Sequence, residues 1–138
     1  MNRKTDLQKI QDLLKRNNLP YEDLQSSKVE FITKEAQDQL IGCIGIEQYD
    51  ADGLLRSLAV ADSYKGKGIG KELLSELCSA CKKNGIQYLH LLTTTADRYF
   101  EHYGFTVAEK SNAPTTILKT KEFSEICPSS SVYMTLDI

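Results

Sequence analysis

Three glycines at alternate positions, Gly66, Gly68 and Gly70, form the stretch of the sequence best suited to bind a ligand. Glycine leaves its backbone N–H accessible, and a helix N-terminus adds the positive end of its dipole, so such a loop binds anions. Cationic side chains surround the loop, at Lys65, Lys67 and Lys71. A diphosphate is the ligand that this arrangement favours.

The spacing of the glycines separates this loop from two common phosphate-binding loops. It lacks the G-x-x-x-x-G-K-[ST] pattern of a P-loop, and G-x-G-x-G differs from the G-x-G-x-x-G of dinucleotide-binding sites. A loop that merely begins a helix is the structural alternative. The predicted strand over 54–60 and the long helical pattern over 69–83 favour the phosphate-binding interpretation.

Hydrophobic periodicity and turn residues predict the elements that position this loop. Strands are expected over 28–34, 40–49, 54–60, 87–93, 105–109 and 131–137. Helices are expected over 5–17, 69–83 and 95–103, and over most of 113–126. Antiparallel strands come first and βαβ alternation follows, which predicts an α/β (α+β) fold with a mixed sheet. A turn over 50–53 would join the second and third strands so that residue 47 faces residue 56.

Composition narrows the classes of function. The chain has 138 residues, enough for one domain, and its net charge of −2 without a basic run argues against a nucleic-acid partner. We find no signal-peptide pattern and no long apolar run, so we expect a cytoplasmic protein without a membrane partner. Cys78 and Cys81 have C-x-x-C spacing but no second ligand pair, so we expect inert thiols and no metal.

Several motifs together resemble one family. Lys65-x-x-Gly68-x-Gly70 resembles the acetyl-CoA loop of the GNAT superfamily, whose pattern is Arg/Gln-x-x-Gly-x-Gly/Ala. The strand end 58–60 and the aromatic segment 99–105 are also similar to that family, closely over 40–110 and in element order over the whole chain. The resemblance implies a single N-acetyltransferase domain over 1–138. Its mixed, mostly antiparallel central sheet would have about six to seven strands flanked by helices.

The resemblance also implies acetyl-CoA as the acetyl donor, with no metal. The loop N–H groups would bind the CoA pyrophosphate, and the exposed backbone of the preceding strand would pair with pantetheine. The cofactor-binding residues that it implies are Leu58, Ala59, Val60, Lys65, Gly66, Lys67, Gly68, Ile69, Gly70 and Lys71. Lys65 stands where the family has Arg or Gln and lacks the bidentate fork of Arg, a small loss if the loop works through its backbone.

A narrower resemblance points to the arsenic-resistance-associated branch of the N-acetyltransferases. It is carried by the segment 91–96, by Glu122-Phe123 and by Cys127-Pro128-x-Ser130. This resemblance implies a small amine as the acceptor, including an organoarsenical amino acid.

Acetyl transfer from a thioester to an amine needs a neutral amine, a donor for the oxyanion and a proton for the departing thiolate. In many members of the family a tyrosine four residues before the glycine that ends the aromatic helix supplies that proton, and here this position is Phe100. Tyr99 and Tyr103 share one helix face, which lies about 100° away from position 100. Either tyrosine or solvent would then be the acid, and plain packing is the alternative for both side chains.

Glu47 and Arg56 are the candidates for binding the acceptor. Glu47 would take the proton of the amine, and Arg56 would hold a substrate carboxylate bidentately, whereas a structural ion pair is the alternative. Hydroxyl groups are expected to line the acceptor pocket at Ser57, Thr93 and Thr94. For Thr95 there are two alternatives, the N-cap of the helix that follows and a hydroxyl that lines the acceptor pocket. His90 is expected to be a hydrogen-bonded core residue, with a general base as the alternative.

These features predict transfer of an acetyl group from acetyl-CoA to the primary amine of a small molecule, an amino acid or an analogue. The amine would attack directly in a ternary complex. One alternative is a catalytically weak sensor that binds an acyl-CoA, which Phe100 favours, and another is a protein N-acetyltransferase. A homodimer is left open.

Overall fold

A computed structural model describes residues 3–24, 28–126 and 130–138 of the chain. The helices are α1 (Arg3–Arg16), α2 (Ile69–Lys83), α3 (Asp97–His102) and α4 (Thr115–Leu118), followed by a π-helical segment (Glu122–Ile126). The strands are β1 (Val29–Ala36), β2 (Gln39–Tyr49), β3 (Asp52–Val60), β4 (Tyr88–Thr93), β5 (Thr106–Ala108) and β6 (Val132–Asp137). Short 3-10 turns occupy Asp62–Tyr64 and Lys110–Asn112.

The strands form one six-stranded sheet in the order β1-β2-β3-β4-β6-β5. The β3–β4 pair is parallel, and the other four pairs are antiparallel. This confirms the predicted mixed, mostly antiparallel sheet flanked by helices.

Two apolar clusters lie on opposite faces of the sheet. Ile44 belongs to the cluster under α2, whereas its neighbour Cys43 belongs to the cluster under α1. Successive side chains of a strand point to opposite faces, so β2 contributes to both clusters and is buried along most of its length. The apolar faces of α1 and α2 therefore fix these helices on the two sides of the central strands.

The hairpin between β2 and β3 has a tighter turn than the sequence predicts. Tyr49 pairs with Asp52, so the turn consists of two residues, and Glu47 lies opposite Leu54 rather than opposite Arg56. Asp50 has a φ of 55°, and positive φ at the first turn position is typical of two-residue hairpins. The predicted register was therefore wrong by two residues.

The second half of β3 is bent by a bulge. The pairing of β2 with β3 shifts between Cys43 and Gly45, and Ser57 adopts a left-handed φ of 61°. A bulge adds a residue to one strand and interrupts the alternation of its side chains. Arg56 and Ser57, although adjacent in sequence, consequently bring their side chains to within 3.1 Å of each other.

Strands β3 and β4 are paired over only a short stretch. Their pairing runs from Asp52–Tyr88 to Leu54–His90 and extends no further along either strand. The sheet is therefore open between the later part of β3 and the end of β4, directly before the glycine loop.

The segment before β6 differs most from the sequence-based expectation. The run 113–126 divides into the one-turn helix α4 and the separate π-helical segment, with a turn between them. Ala113 and Ile117 pack against Leu54 and Tyr133, and this small cluster anchors the segment to the sheet. It is this irregular path that brings Glu122 back to the open part of the sheet.

Candidate active site

A cleft of about 660 Å³ opens where β3 and β4 separate. Its walls come from the turn after α1, from β3, from the end of β4 and from α3. The lining includes residues 17–20, 55–58, 91–96, Tyr99, Phe100, Glu122 and Ser131. Several separate parts of the fold thus converge on one site.

The glycine loop lies immediately before α2. Gly66 and Gly68 have φ values of 78° and 84°, and Gly68 is the N-cap of the helix. A Cβ placed on either glycine would have nothing within 4 Å, so the space over the loop is open. Left-handed backbone and an unobstructed helix N-terminus are the features of an anion-binding loop.

The other residues assigned to cofactor binding are distributed around this loop. Leu58 and Lys65 line the cleft, and the Lys65 ammonium lies 2.9 Å from Asp62. Ala59 and Val60 pair with β2 on one side of the strand. Their opposite edge is not paired with β4. The remaining side chains surround the start of α2: Lys67, whose ammonium lies 5.3 Å from the Tyr64 ring, Ile69 and Lys71.

Gly70 brings the glycine loop into contact with α3. A Cβ at this position would lie 2.8 Å from the hydroxyl oxygen of Tyr99. The absence of a side chain therefore allows Tyr99 to reach the first turn of α2.

The two tyrosines proposed as the acid differ in position. Tyr99 lines the cleft, and burial, the charge of Tyr103 and a hydrogen bond with Tyr103 raise the pKa of its hydroxyl. Tyr103 is half-buried against the core under α2 and does not belong to the cleft lining. Phe100 is buried and packs edge-to-face on Phe105, with ring centroids 5.4 Å apart. Of the two tyrosines, the geometry favours Tyr99 as the one that meets a ligand.

Arg56 is the centre of a buried charged cluster. Its guanidinium donates to both carboxylate oxygens of Asp23 at 2.5 and 2.7 Å, and to Glu47 at 3.0 Å. Its Nε donates to Ser57 Oγ at 3.1 Å and lies 3.6 Å from Glu122. The bidentate partner of Arg56 in this structure is therefore Asp23, whereas the sequence analysis assigned that fork to a substrate carboxylate.

The structure does not bring Glu47 to the cleft. One of its oxygens accepts a hydrogen bond from Tyr49 at 2.5 Å, and the other accepts from Arg56. Its side chain is 4% exposed, and it is missing from the cleft lining. The expected ion pair with Arg56 is present in spite of the changed register, but the structural alternative describes Glu47 better than a role as proton acceptor.

Of the three carboxylates around Arg56, only that of Glu122 lines the cleft. Its side chain is 5% exposed, and its Oε2 has no hydrogen-bond partner among the described residues. Burial raises the pKa of Glu122 to about 7, Arg56 opposes this shift, and Glu47 and Asp23 add to it. Sequence reasoning assigned a role to neither Glu122 nor Asp23, because each meets Arg56 only through tertiary structure.

The threonines and His90 have distinct environments. Thr93 and Thr94 line the cleft, and the Thr93 hydroxyl accepts a hydrogen bond from the Ala96 N–H at 2.9 Å. Of the two alternatives for Thr95, the N-cap of α3 is wrong, because Ala96 holds that position, whereas Thr95 does line the cleft. His90 is buried, 2.8 Å from Asp52 and 2.7 Å from the Tyr133 hydroxyl, which fits a satisfied core histidine.

The cysteines fit the expected inert role. Cys78 and Cys81 are free thiols on α2, and burial raises the pKa of Cys81 to about 11. Cys127 and Pro128, which belong to the narrower resemblance, lie outside the described residues. Over the described ranges, no group of three or more metal-binding side chains is found, and no helix is long and apolar enough to cross a bilayer.

Comparison with protein families finds a match to the acetyltransferase (GNAT) domain over residues 27–107. An uncharacterised N-acetyltransferase of Chlorobaculum tepidum is 29% identical over 89 residues, covering 64% of this chain and 57% of that protein. The amino-acid acetyltransferase of Photorhabdus laumondii is 30% identical over 95 residues, covering 67% of this chain and 21% of that protein. The chain therefore spans a little over half of the length of the first relative and about a fifth of the length of the second.

Solved structures share the fold. N-acetylglutamate synthase of Neisseria gonorrhoeae, complexed with coenzyme A and N-acetyl-glutamate, has a TM-score of 0.80 at 23% identity, over 96% of this chain and 32% of that one. The Mycobacterium tuberculosis protein Rv2747, also in complex with CoA, has a TM-score of 0.79 at 20% identity, over 99% and 96% of the two chains.

Proposed function

Because the chain belongs to the GNAT acetyltransferase family, we propose that it transfers an acetyl group from acetyl-CoA to the primary amine of a small molecule, an amino acid or an analogue. The observation that carries this proposal is the opening between β3 and β4 beside the glycine loop. That opening places a pocket and a free strand edge next to a loop that is suited to bind an anion.

The donor is assigned to the loop and the strand edge. The open space over Gly66 and Gly68 fits a pyrophosphate against the first N–H groups of α2. The edge of β3 at residues 58–60, which β4 leaves unpaired, can accept the amide groups of pantetheine. Acetyl-CoA laid along this path would direct its thioester into the cleft.

The acceptor is assigned to the cleft beyond the thioester. A volume of about 660 Å³ suits a small molecule. Amino-acid acetyltransferases among the relatives support an amino acid or an analogue as the acceptor class. The arsenic-resistance branch, a single-domain organisation, a cytoplasmic location and a homodimer stay predictions.

The amine would attack the thioester carbonyl directly. Tyr99 faces the cleft with its pKa raised, so its hydroxyl keeps its proton at neutral pH and can supply it to the thiolate. Ser57, Thr93 and Thr94 present hydroxyl groups around the acceptor.

Release of free CoA thiol tests the proposal. Acetyl-CoA is mixed with the protein and a panel of amino acids, simple alkylamines and one lysine-containing peptide, and the thiol is measured with a colorimetric reagent. Turnover with a small amine is expected. Tight CoA binding without turnover of any amine would favour the sensor, and turnover of the peptide alone would favour protein acetylation.

A further inference from the structure

Glu122 carries an inference about which acceptors the cleft selects. We propose that its carboxylate binds the acceptor amine in its cationic ammonium form and then takes the proton that the amine must lose. This inference rests on the proposed function. It narrows the acceptor class to amines that enter the cleft as cations.

One carboxylate oxygen of Glu122 lacks a hydrogen-bond partner among the described residues. Glu122 is a buried side chain in the cleft lining, and Oε2 receives no hydrogen bond within the described part of the chain. Buried carboxylate oxygens are normally satisfied, and an unsatisfied one destabilises the fold. An ammonium group carries three donors and would satisfy Oε2 directly.

The charged cluster around Arg56 contains more carboxylates than cations. Arg56 is the one cation of the cluster within the described residues, and it faces three carboxylates from different elements, Asp23, Glu47 and Glu122. Asp23 and Glu47 are hydrogen-bonded to the guanidinium, whereas Glu122 meets only Nε, at 3.6 Å. When all three are ionised, three carboxylates face one guanidinium within this cluster. The cleft therefore attracts a cation and places it nearest to Glu122.

Other charged groups around the cleft leave this assignment in place. Glu22 and Lys65 are exposed side chains in the lining, and Lys65 forms an ion pair with Asp62. Solvent screens exposed charges, so these groups influence a bound ammonium less than a buried carboxylate does.

Each proton in the acetyl transfer is accounted for. The ammonium gives one proton to the Glu122 carboxylate, which becomes a carboxylic acid, and the neutral amine attacks the carbonyl carbon of the thioester. A C–N bond forms and the C–S bond breaks. The thiolate receives a proton through Tyr99, which regains one from the amide nitrogen, and Glu122 returns its own proton to solvent. A carboxyl whose pKa lies near 7 is suited to accept and release a proton at neutral pH.

A binding experiment tests the ammonium site without requiring turnover. The melting temperature of the CoA-bound protein is measured with propylammonium chloride and with sodium chloride at equal concentration, for the wild type, Glu122→Gln and Glu109→Gln. Glu109 is exposed and lies outside the cleft, so its variant controls for the loss of one negative charge. Propylammonium should stabilise the wild type and Glu109→Gln, and this extra stabilisation should disappear in Glu122→Gln. An equal shift in all three proteins would overturn the inference.

A kinetic experiment tests the proton transfer, with the best amine of the thiol-release panel. At pH 7.5, Glu122→Gln should lower kcat/KM by on the order of 100-fold, with a higher KM and unchanged CoA affinity. The loss should shrink as the pH approaches the pKa of the amine, because solvent then supplies the neutral form. A loss that is the same at every pH, or an unchanged KM, would contradict the role of Glu122.

The proposed function and the role of Glu122 can fail independently of each other. A wild type that releases no thiol with any amine would remove the proposed function, while the propylammonium experiment would still decide whether Glu122 binds a cation. If Glu122→Gln does not fold, Glu122→Asp, which keeps the charge but withdraws it by one methylene, takes its place. An undiminished propylammonium effect in that variant would also overturn the inference.

Discussion

The adjacent residues Tyr99 and Phe100 of α3 have different environments. Phe100 borders the cleft but is 6% exposed and packs in the core under α2, whereas Tyr99 is 36% exposed and lies in the cleft beside Gly70. Adjacent residues of a helix are about 100° apart, so one side chain packs mainly on the core while the next remains accessible from the cleft. The sequence alone left Tyr99 and Tyr103 as equal candidates, because they share a face. The structure separates them by depth, since Tyr103 packs on the core.

Replacing the Tyr99 hydroxyl tests its assignment as the acid. Tyr99→Phe should lower kcat by on the order of 100-fold and leave CoA affinity and the melting temperature nearly unchanged. Tyr103→Phe removes only the hydrogen bond to Tyr99, so we expect a loss below about 10-fold. Tyr88→Phe is the matched control, because Tyr88 is exposed and outside the cleft. Steady-state thiol release measures all three, and unchanged kcat in Tyr99→Phe would assign the proton to solvent.

At the scale of elements, local patterns predicted well what local chemistry determines. The strand 54–60, the glycine loop and the helix 69–83 were placed nearly as the structure has them, because periodicity and φ > 0 glycines are local signals. The hairpin register and the Ser57 bulge were missed, since both depend on how β2 pairs with β3. The π-helical segment was missed because it follows its contacts with the sheet and not a helical pattern of its own.

The loop at the start of α2 can be tested against the opposite end of the same helix. Gly68 and Gly85 both have a φ of 84° and open space at the Cβ position. Gly68→Glu and Gly85→Glu should therefore lose similar stability, about 1–2 kcal/mol each from the left-handed backbone. Only Gly68→Glu places a carboxylate at the proposed pyrophosphate site, so it alone should weaken CoA binding, by on the order of 100-fold. Calorimetric titration with CoA compares the two, and equal affinities would refute the loop assignment.

For the molecule as a whole, the Arg56 cluster ties together segments far apart in the chain. Asp23 follows α1, Glu47 belongs to β2 and Glu122 to the segment before β6, and each reaches Arg56 on β3. The spacing of these residues in the sequence does not predict their contacts, because the contacts depend on the topology of the whole fold. The predicted pair of Glu47 and Arg56 captured one of these contacts, and the two carboxylates that complete the cluster required the folded structure.

The Glu122 carboxylate should make the stability of the protein depend on pH in a defined direction. The pKa of Glu122 is about 7 in the folded protein, above its ordinary value of 4.5. Between these values the unfolded chain has released the proton that the folded protein keeps, so the free energy of unfolding falls as the pH rises through this window. Below it the carboxyl is neutral in both states and has no effect. Above about pH 7 it is ionised in both, and the penalty is complete, about 3 kcal/mol.

Glu122→Gln removes this ionisation and should make the protein more stable at alkaline pH while it loses acceptor binding. The melting temperatures of the variant and the wild type should agree near pH 4 and differ by about 10 °C at pH 8, with the variant higher. Scanning calorimetry across this range, with Glu109→Gln alongside, measures the difference and cancels the titration of all other groups. Parallel curves for wild type and variant would mean that Glu122 is already compensated in the free protein. A difference in melting temperature that grows with rising pH would show that the ionised Glu122 carboxylate destabilises the protein when no cation is bound to it.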